Sequence, residues 1–326
     1  MNDVRLEFPN LVGAHCSSSA LRSVLAYDGV ELSEAMTFGL GSGLGFFYLE
    51  EPHGSPTRRF NGRAPDLEGN FYRLVGQPIE WATSWQPDLI RESLAANRPV
   101  LAQTDIHPIP YYDDAHFTGH GLVVVGLEHS EVFTADIAAE GFSQMTLDNF
   151  RDAVKDARLP LLQPYHYAPA PKIGEVDVAE LAPLAVRKTV AYMLEPPSEH
   201  EGLAGLQRFA ADLPNWKTLS DLSWAARYGY QGIEKRGTGG GGFRLLYRDF
   251  LEEVAPVLEL SQEVVAGFGH SGTLWTALAQ ELRAVSFAQN EHSGHLNEAG
   301  KITEEIAGLE RDLFTSLRRS LTLRNV

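Results

Sequence analysis

Apolar residues first recur at helical spacing in "SSALRSVLAYDG", where Leu21, Val24 and Leu25 share one side and the run stops at Gly29. "LSEAMTFGLG" repeats the pattern over a shorter stretch, with Ser33 as the expected N-cap and Gly39 and Gly41 as stop signals. The polar, glycine- and proline-bearing "EEPHGSPTRRFNGRAPD" breaks the periodicity and predicts a long loop. Beyond it, "QPDLIRESLAANRP" predicts a helix with Asp88 near its start, leading into a strand at "VLAQTDI". Two β-type runs, "GLVVVGLEH" and "EVFTADIA", are separated only by a short polar turn and predict an antiparallel hairpin. "TLDNFRDAVKDAR" returns to helical spacing, capped by Thr146 or Asp148.

The pattern then changes. Pro160, Pro164, Pro169 and Pro171 cannot share one helix or one central strand. They place a domain boundary near residue 172, giving a mixed domain over 1–172 and a second over 173–326. The second reads as a series of helices: "VAELAPLAVRKTVAYML", "GLAGLQRFAADL", "SDLSWAARYGYQGIE", "FRLLYRDFLEEVAPVLEL", "TLWTALAQELRAVSFA" and "KITEEIAGLERDLFTSLRRSL". Helices first and strands later within the first domain predict an α+β class rather than an alternating parallel one.

Composition narrows the setting. The chain has 326 residues, 44% hydrophobic and 21% charged, the balance of a soluble globular protein with room for two modest domains. No apolar run approaches the ~18–20 residues a spanning helix needs, and "MNDVRLEFPN" lacks the regions of a secretion signal. A single cysteine excludes an internal disulfide and fits a reducing compartment, so a cytoplasmic protein is expected. Acidic residues outnumber basic ones 43 to 27, for a formal net charge of −16. That field repels nucleic acid and anionic membranes and suits a cationic partner such as an amine-bearing small molecule. The arginines of "TRRFNGR" (Arg58, Arg59, Arg63) and "RRSLTLR" are expected to be solvated surface.

Candidate chemistry turns on the lone thiol, Cys16, in "GAHCSSSALRSVLAYDG". It either fills core or is a nucleophile. At a helix start, free N–H groups favour a thiolate, and a base must come from elsewhere in the fold. His120 opens the strand "HGLVVVGLEH" and Asp136 ends the next one. In a hairpin the two lie close, the arrangement that orients an imidazole and fixes its tautomer. His116 is the rival base, or a lining residue of an acyl pocket. His15, adjacent to the thiol, is expected to point away and to pack or to neighbour an N-cap. The glycines of "LGSGLGF" lack the lysine and hydroxyl residue of a phosphate loop; Gly43, with Phe46, is expected beside a substrate channel. In "RGTGGGGFRLLYRDF", amides ahead of a helix could hold a phosphate or carboxylate, or the run could be a hinge. No metal is expected, since cysteines are not paired and "HFTGH" precedes a strand.

These segments resemble known families. A cysteine at a helix start, a histidine leading into "VVV-G" and an aspartate ending the next strand are similar to the papain-like pattern of bacteriocin-processing peptidases. A closer similarity is to the butirosin-type acyltransferases, aminoglycoside acyltransferases whose N-terminal domain shares that fold. It is carried by "HCSSSALRSVLAYDG", "LSEAMTFGLGSGLGF", "FNGR", "LEGNF" and "HFTGHGLVVVGLE", over roughly residues 10 to 160. The remainder resembles the helical companion domain that often follows.

The resemblance implies a papain-like α+β fold with a central antiparallel sheet, joined to a mainly α-helical C-terminal domain. It implies that an acyl group passes from a carrier-protein or coenzyme thioester to Cys16 and then to an amine, in another molecule or in the same acyl chain. His120 would be the base and Asp136 its orienter. The donor would be a phosphopantetheine-linked thioester on an acyl carrier protein or synthase, with no cofactor bound and a homodimer allowed. The peptidase relatives carry a glutamine before the cysteine that helps form the oxyanion hole. "FPNLVGAHC" has Asn10 instead, which with the Cys16 backbone N–H is the expected substitute. Hydrolysis by the same three residues, as a peptidase or thioesterase, and a non-enzymatic binding module are the rival expectations.

Overall fold

The structure is a computed structural model and describes residues 3–113, 116–155, 164–288 and 292–322. In chain order its elements are β1 (Val4–Arg5), α1 (Cys16–Tyr27), α2 (Glu34–Leu40), β2 (Leu44–Glu50), β3 (Arg58–Arg63), α3 (Leu67–Leu74) and α4 (Pro87–Ala95). There follow β4 (Val100–Asp105), β5 (Thr118–Glu128), β6 (Glu131–Ala135), β7 (Phe142–Thr146), α5 (Leu147–Lys155) and β8 (Tyr167–Pro169). The rest is helical: α6 (Val178–Leu194), α7 (Gly202–Asp212), α8 (Leu222–Glu234), α9 (Arg244–Leu258), α10 (Gln262–Phe287) and α11 (His292–Thr322). The chain is thus α+β, with an antiparallel sheet and a helical C-terminal region.

Two compact units divide it: Met1–Thr37 with Pro65–Asp177, and Phe38–Ala64 with Val178–Val326. The first is built on an antiparallel sheet in the order β7-β6-β5-β4-β8, with β1 pairing to β5 beyond the end of β4. Central β5 has Val123, Val124 and Val125 fully buried, which is why it reads as one apolar run. The expected hairpin is present: β5 and β6 pair antiparallel from Val123↔Ala135 to Glu128↔Glu131. Helix α1 packs on β5 and fully buries Leu21, Val24 and Leu25, the three positions its spacing picked out. Ser33 caps α2 by accepting from Met36 N at 2.8 Å, and Thr146, not Asp148, caps α5 by accepting from Asn149 N at 3.1 Å. The expected continuation of α5 to Arg158, and Pro160 beyond it, lie outside the described residues.

Among the described residues the second unit combines α6 to α11 with the β2–β3 hairpin. Here the expected loop at "TRRFNGR" is a strand, pairing with β2 from Leu44↔Arg63 to Glu50↔Arg58. Its signal was hidden because only Phe60 and Gly62 are buried. The arginines are not a free basic patch: Arg58 bonds Asp212 at 2.9 Å and Arg59 pairs with Glu51. The expected boundary near residue 172 lies close to the passage at Asp177, but Phe38–Ala64, expected in the first domain, clusters with the second unit. The cause is aromatic: Phe60 lies 4.5 Å from Phe209 and Phe46 lies 5.7 Å from Trp275, centroid to centroid. Helices α10 and α11 begin earlier than their expected starts near Thr273 and Lys301. Glycines inside α10 conceal it, and they sit where the packing is closest; a Cβ on Gly267 would fall 2.4 Å from Leu313. No helix among the described residues is long and apolar enough to cross a membrane.

Candidate active site

Cys16 is the first residue of α1 and is buried. His15 is itself the N-cap rather than the neighbour of one: its Nδ1 accepts from Ser18 N, so the ring is engaged as a cap. A carboxylate also sits at this helix end. Glu34 accepts from Ala14 N at 2.9 Å, His15 N at 2.7 Å and the Ser18 hydroxyl at 3.1 Å. It fixes the turn ahead of the cysteine, and it offsets part of the positive potential that the helix start would offer a thiolate. Any activation of the sulfur would therefore fall more heavily on a histidine than on the helix start.

That histidine is His120. On β5 the register passes from Thr104↔His120 to Asp105↔Thr118, leaving Gly119 as an extra residue at φ 81°. One residue on, a Cβ on Gly121 would come within 2.8 Å of Ser17 Oγ and 3.0 Å of Ser17 Cα. Glycine there lets the strand approach the start of α1 closely. Thr104 Oγ1 donates to the His120 carbonyl at 3.1 Å and holds its backbone. Because Ala135 pairs with Val123, Asp136 leaves β6 beside the start of β5. His120 Nε2 then lies 2.9 Å from Asp136 Oδ1, with both side chains essentially inaccessible to solvent.

Nε2 being held by the carboxylate, Nδ1 is the ring nitrogen left for Cys16, whose side chain hydrogen-bonds the same imidazole. Burial would lower the His120 pKa, but the charge and hydrogen bond of Asp136, then the Cys16 side chain, raise it above the ordinary histidine value. Burial would raise that of Asp136, but His120, then the hydroxyls of Tyr112 and Tyr111, hold it below the usual carboxylate range. The arrangement is an imidazole held by a carboxylate on one side and facing a thiol on the other.

The structure brings Cys16, His120 and Asp136 together and places the remaining expected residues elsewhere. Asn10 does not serve an oxyanion: its amide donates to the carbonyls of Asp136 (3.0 Å), Ala139 (2.8 Å) and Gly141 (2.8 Å). Both its protons are spent on pinning the turn that follows Asp136. His116 is two-thirds exposed, bonds Asp105 at 2.8 Å and stacks on His107 at 4.1 Å. Gly43 and Phe46 belong to the second unit, where Phe46 is fully buried among Phe60, Phe209 and Trp275. In the run before α9, Gly241 N already donates to the carboxylate of Glu234, and a Cβ on Gly241 would meet Gly272 Cα at 2.8 Å. That run is a packed turn holding the protein's own carboxylate, not an anion cradle or a hinge. Among the described residues no group of three or more His, Cys, Asp or Glu is placed to hold a metal ion.

Three contributors were not read from the sequence. Glu34 stands in the first turn of α2, where nothing local marks it. Tyr111 and Tyr112 donate to Asp136 Oδ2 and Oδ1 at 3.0 and 2.9 Å. The signal available for them was the adjacent pair "YY" in a proline-bearing connection only eight residues before His120.

Two family models match the chain. The model described as butirosin biosynthesis protein H, N-terminal, matches residues 15–136, from the residue before the thiol to Asp136 itself. A model described as a domain of unknown function (DUF4872) matches residues 154–317, which span α6 to most of α11. No curated protein matches the chain. With thiol, imidazole and carboxylate inside the first match and half of the chain inside the second, the chain belongs to the family that carries a DUF4872 domain behind a butirosin-type N-terminal domain.

Proposed function

We propose that this protein is an acyltransferase of natural-product biosynthesis, carrying an acyl group on Cys16 from a thioester to an amine. The observation that supports this best is His120, buried, held through Nε2 by Asp136 and bonded on its other side to the Cys16 side chain. In the first half-reaction the Cys16 sulfur attacks the thioester carbonyl carbon. The donor C–S bond breaks, and the leaving thiolate takes the proton of the His120 imidazolium. In the second, a neutral amine attacks the Cys16 thioester and gives its proton to His120 as the C–S bond to Cys16 breaks. The amide leaves and the thiolate–imidazolium pair is restored.

A thioester donor suits a thiol nucleophile, because exchange between thioesters costs little free energy while amide formation runs downhill. A phosphopantetheine arm on a carrier protein or coenzyme is the donor class, and the net charge of −16 favours a cationic acceptor. The Cys16 backbone N–H, at the first helical position, is the oxyanion donor in this reading, with Asn10 excluded from that role.

Incubation with an acyl N-acetylcysteamine thioester should add the acyl mass to the wild-type protein and nothing to Cys16→Ala. Turnover of that variant should fall by ~10⁴-fold or more. Full turnover in Cys16→Ala, with no adduct on the wild type, would sink the proposal. Repeating the reaction with and without an amine separates transfer from hydrolysis: free acid as the sole product in both cases means a hydrolase.

A further inference from the structure

We propose that Tyr112 is a positioning residue for the Cys16–His120 pair, an inference that rests on reading those two as nucleophile and base. Its hydroxyl lies 3.1 Å from His120 Nε2 and 2.9 Å from Asp136 Oδ1, while Nε2 and Oδ1 lie 2.9 Å apart. Three groups thus close a triangle about one imidazole nitrogen. The phenol has one proton, which goes to the carboxylate, so its lone pairs face the Nε2–H. Only a ring protonated at Nε2 satisfies all three sides. Nδ1 is thereby reserved for proton exchange with Cys16, and the ring cannot rotate without breaking two bonds.

Tyr111 does something different. Its hydroxyl reaches Asp136 Oδ2 at 3.0 Å and Thr134 Oγ1 at 3.0 Å, and makes no bond to the imidazole. The tyrosine rings lie 5.2 Å apart, and Tyr112 stands edge-on to His120 at 5.2 Å and 76°. Burial, then the charge of Asp136, raises the pKa of both phenols, so both remain donors.

The connection from β4 to β5 delivers this pair, and Asp105 clips its neck. Asp105 Oδ1 accepts from His107 N and Phe117 N, each at 3.1 Å, and Oδ2 bonds His116 Nδ1 at 2.8 Å. His116, the rival base of the sequence reading, thus serves at the neck that presents Tyr112.

The test is the pH profile of Cys16 alkylation by iodoacetamide, which reads thiolate formation and needs no substrate. Tyr112→Phe keeps the ring and removes only the hydroxyl. The midpoint of its alkylation profile should rise by about one pH unit, with the alkaline plateau unchanged. Tyr111→Phe should move the midpoint by less than about half a unit. A wild-type thiol unreactive at pH 6 would overturn the nucleophile–base reading itself. A reactive wild type matched by Tyr112→Phe would overturn this proposal alone, and so would equal shifts in both variants, since Tyr112 would then act only through Asp136. If Tyr112→Phe does not fold, the unsubstituted protein still decides. Nitrogen-15 histidine NMR should show the Nε2–H of His120 protected from solvent exchange, and a rapidly exchanging proton there overturns the assignment.

Discussion

Each unit of the molecule buries an ion pair, and the two pairs are finished differently. In the second unit Arg244 and Glu310 have no exposed side-chain surface. Arg244 gives Nε and Nη2 to Glu310 at 2.8 and 2.9 Å, and Nη1 to the carbonyls of Gly62 and Gly242. Glu310 also accepts from Ser271 Oγ at 2.7 Å and Trp275 Nε1 at 2.9 Å, and the guanidinium lies over the Trp275 ring. Almost every donor and acceptor is spent inside the protein. In the first unit Asp136 is equally saturated, but its partner His120 turns a nitrogen toward a thiol. Burial is common to both, so burial does not mark chemistry. The mark is a buried charge whose partner retains a site for exchanging a proton.

The comparison is broken most severely by removing one member of the closed pair. Arg244→Met leaves Glu310 buried without a counter-charge and should cost about 3–5 kcal/mol of stability by denaturant titration. The fraction still folded should alkylate at Cys16 at the wild-type rate. Asp136→Asn attacks the open pair instead and should lower turnover by ~10²-fold.

Its stability signature depends on pH. His120 has a raised folded-state pKa, so its contribution is complete below its unfolded value near ~6.5 and is lost as pH rises through the folded value. Asp136 has a lowered one, so its contribution is present above ~3.9 and is lost as pH falls through the folded value. The stability gap between wild type and Asp136→Asn should therefore be widest between about pH 4 and 6.5, and should narrow on both sides. The smallest effect is expected at Asn10. Asn10→Ala should cost about 1–2 kcal/mol of stability by loosening the turn after Asp136. Turnover should fall less than about tenfold, where loss of an oxyanion donor would cost ~10²–10³-fold in kcat.

What could be read from the sequence was whatever rests on local periodicity. The β5–β6 hairpin, the helix beginning at Cys16 and the approach of His120 to Asp136 all follow from short-range patterns. Most C-terminal helices do too: "VAELAPLAVRKTVAYML" coincides with α6 from end to end. What escaped depends on partners distant in sequence. β3 shows two arginines at its start, and the first of them finds its carboxylate on Asp212, more than 150 residues later. Phe46 looked like a channel residue because Phe209 and Trp275, which enclose it, lie over 160 residues away. Tyr112 belongs to no period at all; it is a turn residue whose meaning is supplied by His120 and Asp136. Asn10 was assigned by position relative to the cysteine, whereas its carbonyl partners come from a turn more than 120 residues later.

The path of the backbone has a consequence for how the protein is made. The β2–β3 hairpin leaves the ribosome early, yet the helices that cover Phe46 and Phe60 come from α7 and α10. At ~5–20 residues per second, its aromatic face waits about 10–40 s for Trp275 to emerge. During that interval the nascent chain carries an uncovered, strand-forming apolar surface, the kind that chaperones engage and that aggregates when they are saturated. A fragment ending near residue 172 would never leave that stage, and its poor solubility would say nothing about whether its thiol, imidazole and carboxylate can form.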